Sequence, residues 1–541
     1  MRSVAVLGGY GGFGARLCRR LAADGWVVLV AGRNHSAAER LAAELPHAHA
    51  LVADRNGDLR SLLTAHRPLL LIDAAGPFQG SSYSVVEACI ACGVHYVDLA
   101  DARDFVSGII QLDAAARAAN VVVISGGSSV PALSGAVIAG LSKGLMEVCS
   151  VEMAISASNR ATAGTSVAAA ILSYVGKPLR LWRAGRWRAE TGWHRLRRER
   201  FEVPGRTPIR RLVALADVPD HTIVPETVPG RPATIFRAGP EFAFQLLTLW
   251  LLSWPVKWRW LASLSPFAKW LLPLQGLSAR FGSDRSAMAI EVKGWGEDGA
   301  CVRRWTLIAE KGDGPEIPTI AAHVLANAIA AGTLAPGARH AAGAVALEDF
   351  EPHFARLAIA HAVEGLPYVP LYRRVIGGPD YDRLPEPVRR MHDVIGDGGA
   401  AGRGRVRRGR SLLARLVCAA MRFPPEGEHD LHVAFEERDG VERWTRDFAG
   451  SSFSSELSQS GARLVERFGP MRFSFDLPCD EHGLTMVMRG WSVLGIPMPL
   501  WVAPKSEARE WAEGADFCFD VPIALPGIGT VVHYSGHLRR L

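Results

Sequence analysis

Cysteine is scarce in this chain: eight in 541 residues, scattered at positions 18, 89, 92, 149, 301, 418, 479 and 518. Such scatter excludes a disulfide framework and fits a reduced, cytoplasmic setting. Cys89 and Cys92 form a CxxC, but it lies inside the helical pattern YSVVEACIACG with no second pair nearby. The pair therefore reads as helix packing, and no metal site is expected. No secretory leader is expected, because the first residues enter an apolar run at once, without a basic start or a cleavage site. The apolar run Phe242 to Trp254, at thirteen residues, is shorter than the roughly twenty of a membrane-spanning helix. Carboxylates are locally short in Lys177–Arg211, where twelve Lys and Arg face three Glu, an excess larger than the net +7 of the whole chain. What is present is 48% hydrophobic residues, enough for sizeable cores, in a length that suggests two to four domains.

The most informative stretch is the first. MRSVAVLGGYGGFG is an apolar run ending in a glycine cluster, with Gly9, Gly11 and Gly14 at GxGxxG spacing and Tyr10, Gly12 and Phe13 between them. Val4 to Leu7 have the character of a buried parallel strand, and Ala15 to Ala23 place Leu17, Leu21 and Ala22 on one helical face. At a strand-to-helix turn, glycines let a pyrophosphate approach the backbone, and the free N–H groups and dipole of the helix start attract its charge. A second strand, Trp26 to Ala31, ends in Gly32, Arg33 and Asn34 about twenty residues on, where the ribose-reading residue belongs. NAD sites place Asp or Glu there. Arginine offers a guanidinium to a 2′-phosphate, so the expected cofactor is NADP with Arg33 as its anchor.

The α/β rhythm continues. His49 to Ala53 is a third strand followed by Asp54, which reads either as an acceptor for the adenine amino group or as a helix N-cap. Leu69 to Ile72 form a fourth, ending in Asp73, Ala74, Ala75, Gly76, Pro77 and Phe78, which should run along the cofactor towards its nicotinamide. Val94 to Leu99 and Val121 to Ile124 supply further strands, the latter ending in SGGSSVPALSG. Tyr83, His95, Tyr96 and Asp98 are the nearest titratable groups to the expected cleft, each a candidate proton donor or else a brace of the sheet edge.

Five ordered motifs, VAVLGGYGGFG, AGR at Ala31 to Arg33, AAGPF at Ala74 to Phe78, VVEACIACGVHYVDL at Val85 to Leu99 and GGSSVP at Gly126 to Pro131, together resemble the saccharopine dehydrogenase-like oxidoreductases. Ala309 to Gly332 resembles that family's return from substrate domain to nucleotide domain, so about the first 365 residues are covered. The resemblance implies that Gly9, Gly11, Gly14, Arg33, Gly76, Pro77 and Phe78 line NADP and that Ser128, Val130 and Pro131 approach the nicotinamide. It implies hydride chemistry without fixing the acceptor. The chain departs from the family after HYVDL, where Ala100, Asp101, Ala102 and Arg103 replace a Thr-Gly-Glu-like turn. A short-chain-dehydrogenase relay is not supported either, since Tyr174 and Lys177 are one residue too close for YxxxK.

The expected architecture is α/β: a Rossmann-type parallel sheet over residues 1–147 with a return segment at about 312–365, an α+β, mostly antiparallel substrate domain over 148–311, and a β-rich α+β domain over 371–541. In the second, LWRAGRWRAETGW reads as a strand, turn and strand with Trp on one face and Arg on the other, and no nucleic-acid partner is expected. Phe242 to Trp254 are thirteen uncharged residues, followed by Lys257, Arg259, Lys269 and more aromatic residues up to Trp270. This segment reads as a buried helix, the wall of an apolar channel, or a pair of interfacial helices that would hold the protein at the inner face of a membrane. The third unit resembles a domain of undefined function often fused to these proteins. Its strands suggest a partial barrel with helices at Leu384 to Ile395 and Ser411 to Met421, the cluster Arg403 to Arg410 reads as an exposed loop, and His392, Asp393, Glu442 and Arg446 read as surface positions without a catalytic role. The functional expectation is an NADP-dependent reductase of a C=C, C=O or C=N bond in a hydrophobic, lipid-like substrate. A non-catalytic NADP- and lipid-binding protein and a saccharopine dehydrogenase acting on an amino-acid imine are the alternatives, and a homodimer is compatible with all three.

Overall fold

The computed structural model describes residues 2–160, 165–267 and 278–541. Lys269 and Trp270 of the apolar segment lie outside the described residues. Six strands of the N-terminal unit, β1 (Ser3–Leu7), β2 (Val27–Gly32), β3 (Ala48–Val52), β4 (Leu70–Asp73), β5 (His95–Asp98) and β6 (Val122–Ser125), form one sheet in the order β3-β2-β1-β4-β5-β6, with Gly337–His340 beyond β6. All neighbours are parallel. The uncharged runs of the inner strands are buried on both faces, as a sheet covered by helices on each side requires, while the edge strand β3 leaves His49 and Val52 exposed. Chain order reverses between β1 and β4, and the carboxyl ends on either side of that reversal open a crevice.

A second seven-stranded sheet runs Arg197–Phe201, Ile209–Leu215, Ala233–Gly239, Leu145–Ser156, Ser286–Gly296, Gly299–Ala309, Ile359–Pro367. Its one parallel pairing among the described residues joins Leu145–Ser156 to Ala233–Gly239. The chain then returns through helix Ile317–Ala330, which locks onto the first domain: the Trp26 indole N–H donates to Asn327 Oδ1 at 3.1 Å, and Arg20 meets Glu316 at 2.9 Å. The expected return segment is split, because Gly337–His340 joins the parallel sheet whereas Ile359–Pro367 goes back to the edge of the second sheet.

The basic stretch folds as the hairpin Pro178–Arg183 and Arg186–Thr191 and the strands that follow it. Trp182 and Trp187 face each other across the hairpin with ring centroids 5.6 Å apart. The local excess of cations is answered by carboxylates from distant segments: Arg183 meets Asp397 at 2.7 Å, Arg186 meets Asp447 at 3.0 Å, and Arg206 meets Glu310 at 2.8 Å.

The C-terminal unit is more closed than its sequence suggests. Ten antiparallel strands follow one another around a barrel, Asp397–Arg408, Gly427–Arg438, Val441–Phe448, Ser451–Ser460, Arg463–Phe468, Met471–Asp476, Gly483–Val493, Ala508–Glu513, Asp516–Leu525 and Gly529–Arg540, and the last pairs with the first. Arg403 to Arg408 are therefore strand rather than loop. The glycines around them mark close approach, since a Cβ on Gly402 would lie 2.0 Å from the His537 carbonyl oxygen and one on Gly404 2.7 Å from the Phe448 ring. His392 and Glu442 are buried, contrary to the surface reading. Glu442 shares the inward register of its strand with Trp444, whose indole N–H donates to it at 2.9 Å, and burial pushes its carboxyl up to about 8. His392 closes one end of the core, stacked on Tyr372 with centroids 3.6 Å apart and 2.6 Å from Glu510. Arg446 donates to Ser455 at 3.0 Å, and Asp393 accepts from the Tyr381 hydroxyl at 2.9 Å. Among the described residues no helix is long and apolar enough to cross a membrane.

Candidate functional site

The crevice at the carboxyl ends of β1 and β4 continues into a cavity of about 1970 Å³ between the first two domains. One end is the glycine turn. Gly8 adopts φ +75°, and a Cβ there would meet the backbone of Ala75 at 3.0 Å, so the turn packs against the loop after β4. Gly14 sits behind it, where a Cβ would fall 2.2 Å from the Gly8 carbonyl oxygen. Gly12 has open space instead, with nothing within 4 Å. The same substitution should therefore have opposite outcomes two residues apart. Gly14→Ala is expected to cost about 3 kcal/mol or more and to lower NADPH binding, because the overpacked atom is backbone and cannot rotate away. Gly12→Ala, in open space at the first turn of a helix, should leave the melting temperature unchanged or slightly raised. Thermal melts of both variants check this pair.

The helix Gly12–Ala23 starts without a side-chain cap and without an acidic residue in its first turn, so its leading N–H groups and positive dipole end face the cavity. Tyr10 lies across Gly32, and its hydroxyl accepts from the Asn34 N–H at 2.9 Å. Arg33 is exposed on the cavity wall, and no carboxylate pairs with it among the described residues. A guanidinium held at the end of β2 without a protein partner, beside an uncapped helix start, fits a dinucleotide that carries an additional phosphate.

Tyr10, Gly11, Gly12, Phe13, Arg33, Asp54, Ala75, Gly76, Pro77, Phe78, Ser128 and Val130 line the cavity as expected. Gly9, Gly14, Asn34 and Pro131 do not. The two glycines and Pro131 pack behind the lining. Asn34 spends its side chain on capping helix His35–Ala43, accepting from Ala37 N–H at 3.0 Å. Of the two readings of Asp54 the helix cap falls away, because Asp58 caps helix Leu59–His66 and Asp54 accepts from Asn56 N–H at 2.9 Å in a turn facing the cavity.

None of the four expected proton donors lines the cavity. His95 stands at the start of β5, the end away from the crevice, where its Nδ1 accepts from Val122 N–H at 2.9 Å. Tyr96 is fully buried in the opposite layer with Leu63, Val86 and Cys89. Tyr83 donates its hydroxyl to the Phe105 carbonyl at 2.7 Å. Asp98 ties two loops together by accepting from Ala100 N–H at 3.0 Å and Gly126 N–H at 2.7 Å, and burial pushes its carboxyl up to about 6. All four brace the fold.

Other polar groups line the cavity. Arg55, directly after β3, pairs with the buried Asp73 at 3.1 Å, donates to the Ala75 carbonyl at 3.2 Å and stacks on Phe78 at 4.4 Å, which holds the 74–78 loop against the cavity. Across from it stand Asp101, Tyr174 and Asp217. Burial and then the Asp101 and Asp217 carboxylates raise the Tyr174 phenol, so it keeps its proton at neutral pH. Asp101 is exposed to the cavity, where the surrounding protein raises its carboxyl against a hydrogen bond from Gln79 at 3.3 Å. Asp217 meets Arg103 at 3.4 Å. Asp101 is signalled by the departure from the family turn; Tyr174 and Asp217 come from another domain and carry no local signal. The far wall is apolar, with Phe236, Phe242, Phe244, Leu249 and Met288 among its residues.

Residues 4–124 match the family model of the saccharopine dehydrogenase NADP binding domain. The nucleotide domain is a saccharopine dehydrogenase-type NADP-binding domain. Residues 384–538 match a domain of unknown function, DUF4166, which corresponds to the barrel and the helix before it. No curated protein matches the chain. Solved structures similar to it include apo saccharopine dehydrogenase (L-Glu forming) from Saccharomyces cerevisiae, 13% identical over 67% of this chain and 100% of that one with a TM-score of 0.47. Amine dehydrogenase from Mycobacterium smegmatis is 12% identical over 63% and 95%, with a TM-score of 0.33. Both likenesses are too distant to bear on the chemistry. In this NADP-binding domain the family match ends at the end of β6, so the substrate wall of the cavity lies outside it.

Proposed function

We propose that the protein is an NADP-dependent oxidoreductase that reduces a C=C, C=O or C=N bond of a hydrophobic, lipid-like substrate. The carrying observation is the continuity of the cavity, which passes without a break from the glycine turn and Arg33 to the apolar helix Ala243–Lys257. Its volume exceeds the roughly 300–1,000 Å³ of an ordinary small-molecule pocket, leaving room for a second ligand beside a dinucleotide. NADPH, when bound, supplies the hydride. The chain's own residues orient and protonate: Arg55 and Asp73 fix the 74–78 loop beneath the nicotinamide end, and Tyr174 supplies the proton. Leu249, Phe236 and Met288 exclude water from the acceptor end. A soluble amino-acid substrate has no use for such a wall.

Displacement of an environment-sensitive apolar fluorophore tests the reading. With NADPH bound, the protein should take up one probe per chain. Leu249→Gln should weaken the probe about tenfold, as expected for removing part of a leucine's burial, while leaving NADPH affinity unchanged. Probe binding that ignores Leu249→Gln would remove the apolar occupant from this cavity.

A further inference from the structure

Helix Ala243–Lys257 has two apolar faces, of which the fold uses one. Leu246 and Val256 pack against Leu172, Val175, Trp193 and Ala214. The other side leaves Phe244 58% and Leu251 62% exposed, and the chain beyond the helix leaves Trp260 74% and Phe281 71% exposed. Trp258, Leu261 and Phe267 add to the same exposed set. A contiguous segment of this kind is costly in water unless something covers it. Residues 242–283 contain no Asp or Glu, while Lys257, Arg259 and Arg280 supply cations among the described residues. The cations and rings are interleaved: Lys257 Nζ lies 4.7 Å from the Trp254 ring and Arg280 4.7 Å from that of Phe281. Phe244, Arg280 and Phe281 also line the cavity, so the exposed segment is its rim.

We infer that this rim docks on an anionic lipid surface, with the tryptophans at headgroup level, the leucine and phenylalanine side chains below them and the cavity opening into the bilayer; this rests on the reading of the cavity as a site for apolar substrates. Charge selects the occupant. A protein partner of ordinary composition would not require forty-two residues free of carboxylates, whereas an anionic leaflet repels every one and attracts the cations. Tryptophan beside Lys and Arg is the composition of a membrane interface. The helix is too short to cross, which places it in the interface plane.

Flotation of the full chain with vesicles tests the docking, using phosphatidylcholine alone and phosphatidylcholine mixed with phosphatidylglycerol. The protein should float with the mixed vesicles and much less with the neutral ones, tryptophan emission should shift to the blue, and binding should weaken as salt rises. Leu251→Glu combined with Trp260→Glu should reduce binding about tenfold or more without changing the melting temperature or NADPH affinity, since neither residue lines the cavity. Absence of flotation, or flotation unchanged by the double variant, overturns the docking. So does its loss in Leu412→Glu/Leu416→Glu instead, which would move the contact to the exposed leucines of the helix Leu412–Ala420. A dimer that the Leu251→Glu/Trp260→Glu variant dissociates would name a second copy as the occupant and overturn it as well. Turnover of detergent-dispersed apolar substrates without flotation overturns the docking alone. Flotation without uptake of any apolar ligand overturns the reading of the cavity and leaves the docking standing.

Discussion

Tyr174→Phe is expected to lower kcat about 10²–10⁴-fold, the usual contribution of a positioned proton donor, while leaving NADPH affinity within twofold. The ring remains, with its packing on Leu179, Leu181 and Trp193, so stability should change little. The pH profile separates donor from bystander. Burial and two carboxylates raise the Tyr174 phenol above its ordinary value, so its protonated form persists through neutral and mildly alkaline pH, and kcat should be flat there. Were Asp101 the donor, activity would be lost as rising pH ionises its raised carboxyl, before any change at the Tyr174 phenol, and Asp101→Asn rather than Tyr174→Phe would carry the large loss. Steady-state kinetics of both variants across pH decides between them. A Tyr174→Phe enzyme within tenfold of wild type contradicts the assignment.

Arg33→Asp should weaken NADPH about 100-fold and leave NADH binding unchanged or improved. Charge-assisted hydrogen bonds to a phosphate contribute about 1.5–3 kcal/mol, and the new carboxylate adds repulsion to the loss. With no protein carboxylate to release among the described residues, Arg33 gives its whole interaction to the ligand. Arg33→Lys should fall between, because a point charge cannot make the two parallel hydrogen bonds of a guanidinium. Fluorescence titration with both nucleotides measures the ratio. A preference unchanged in Arg33→Asp would place the 2′-phosphate elsewhere, with Arg16 another arginine on the cavity wall.

The nucleotide end of the site was legible in the sequence because its determinants are local. One turn carries the glycines, and one strand later comes Arg33. The proton donors are not legible in this way, because nearness along the chain is not nearness in space. His95 belongs to the right strand but to its wrong end, Tyr96 to the wrong face, and the Asp98 oxygen that faces the loops is already engaged by Ala100 and Gly126. Tyr174 and Asp217 reach the cavity from the second domain, and no spacing announces a contact across so many residues. In the barrel, the cluster Arg403 to Arg410 reads as an exposed loop, but Gly402 and Gly404 serve close strand approach, which carries Arg403 to Arg408 into a strand. Glu442 reads as a surface carboxylate because alternation in ERWTRDF does not say which face a closed barrel will bury. The apolar segment 242–254 was the opposite case. Uniform apolarity does not say which residues the fold will use: Leu246 and Val256 are buried, Leu249 lines the cavity and Leu251 is exposed.

NADPH oxidation by the purified protein, followed with detergent-dispersed apolar ketones, enones and imines and separately with soluble amino-acid and oxo-acid pairs, tests the central claim most directly. The account predicts turnover with at least one apolar class, abolished by Tyr174→Phe, and none with the soluble pairs. Turnover of the soluble pairs, or tight NADPH binding with no oxidation by any apolar acceptor, would contradict it.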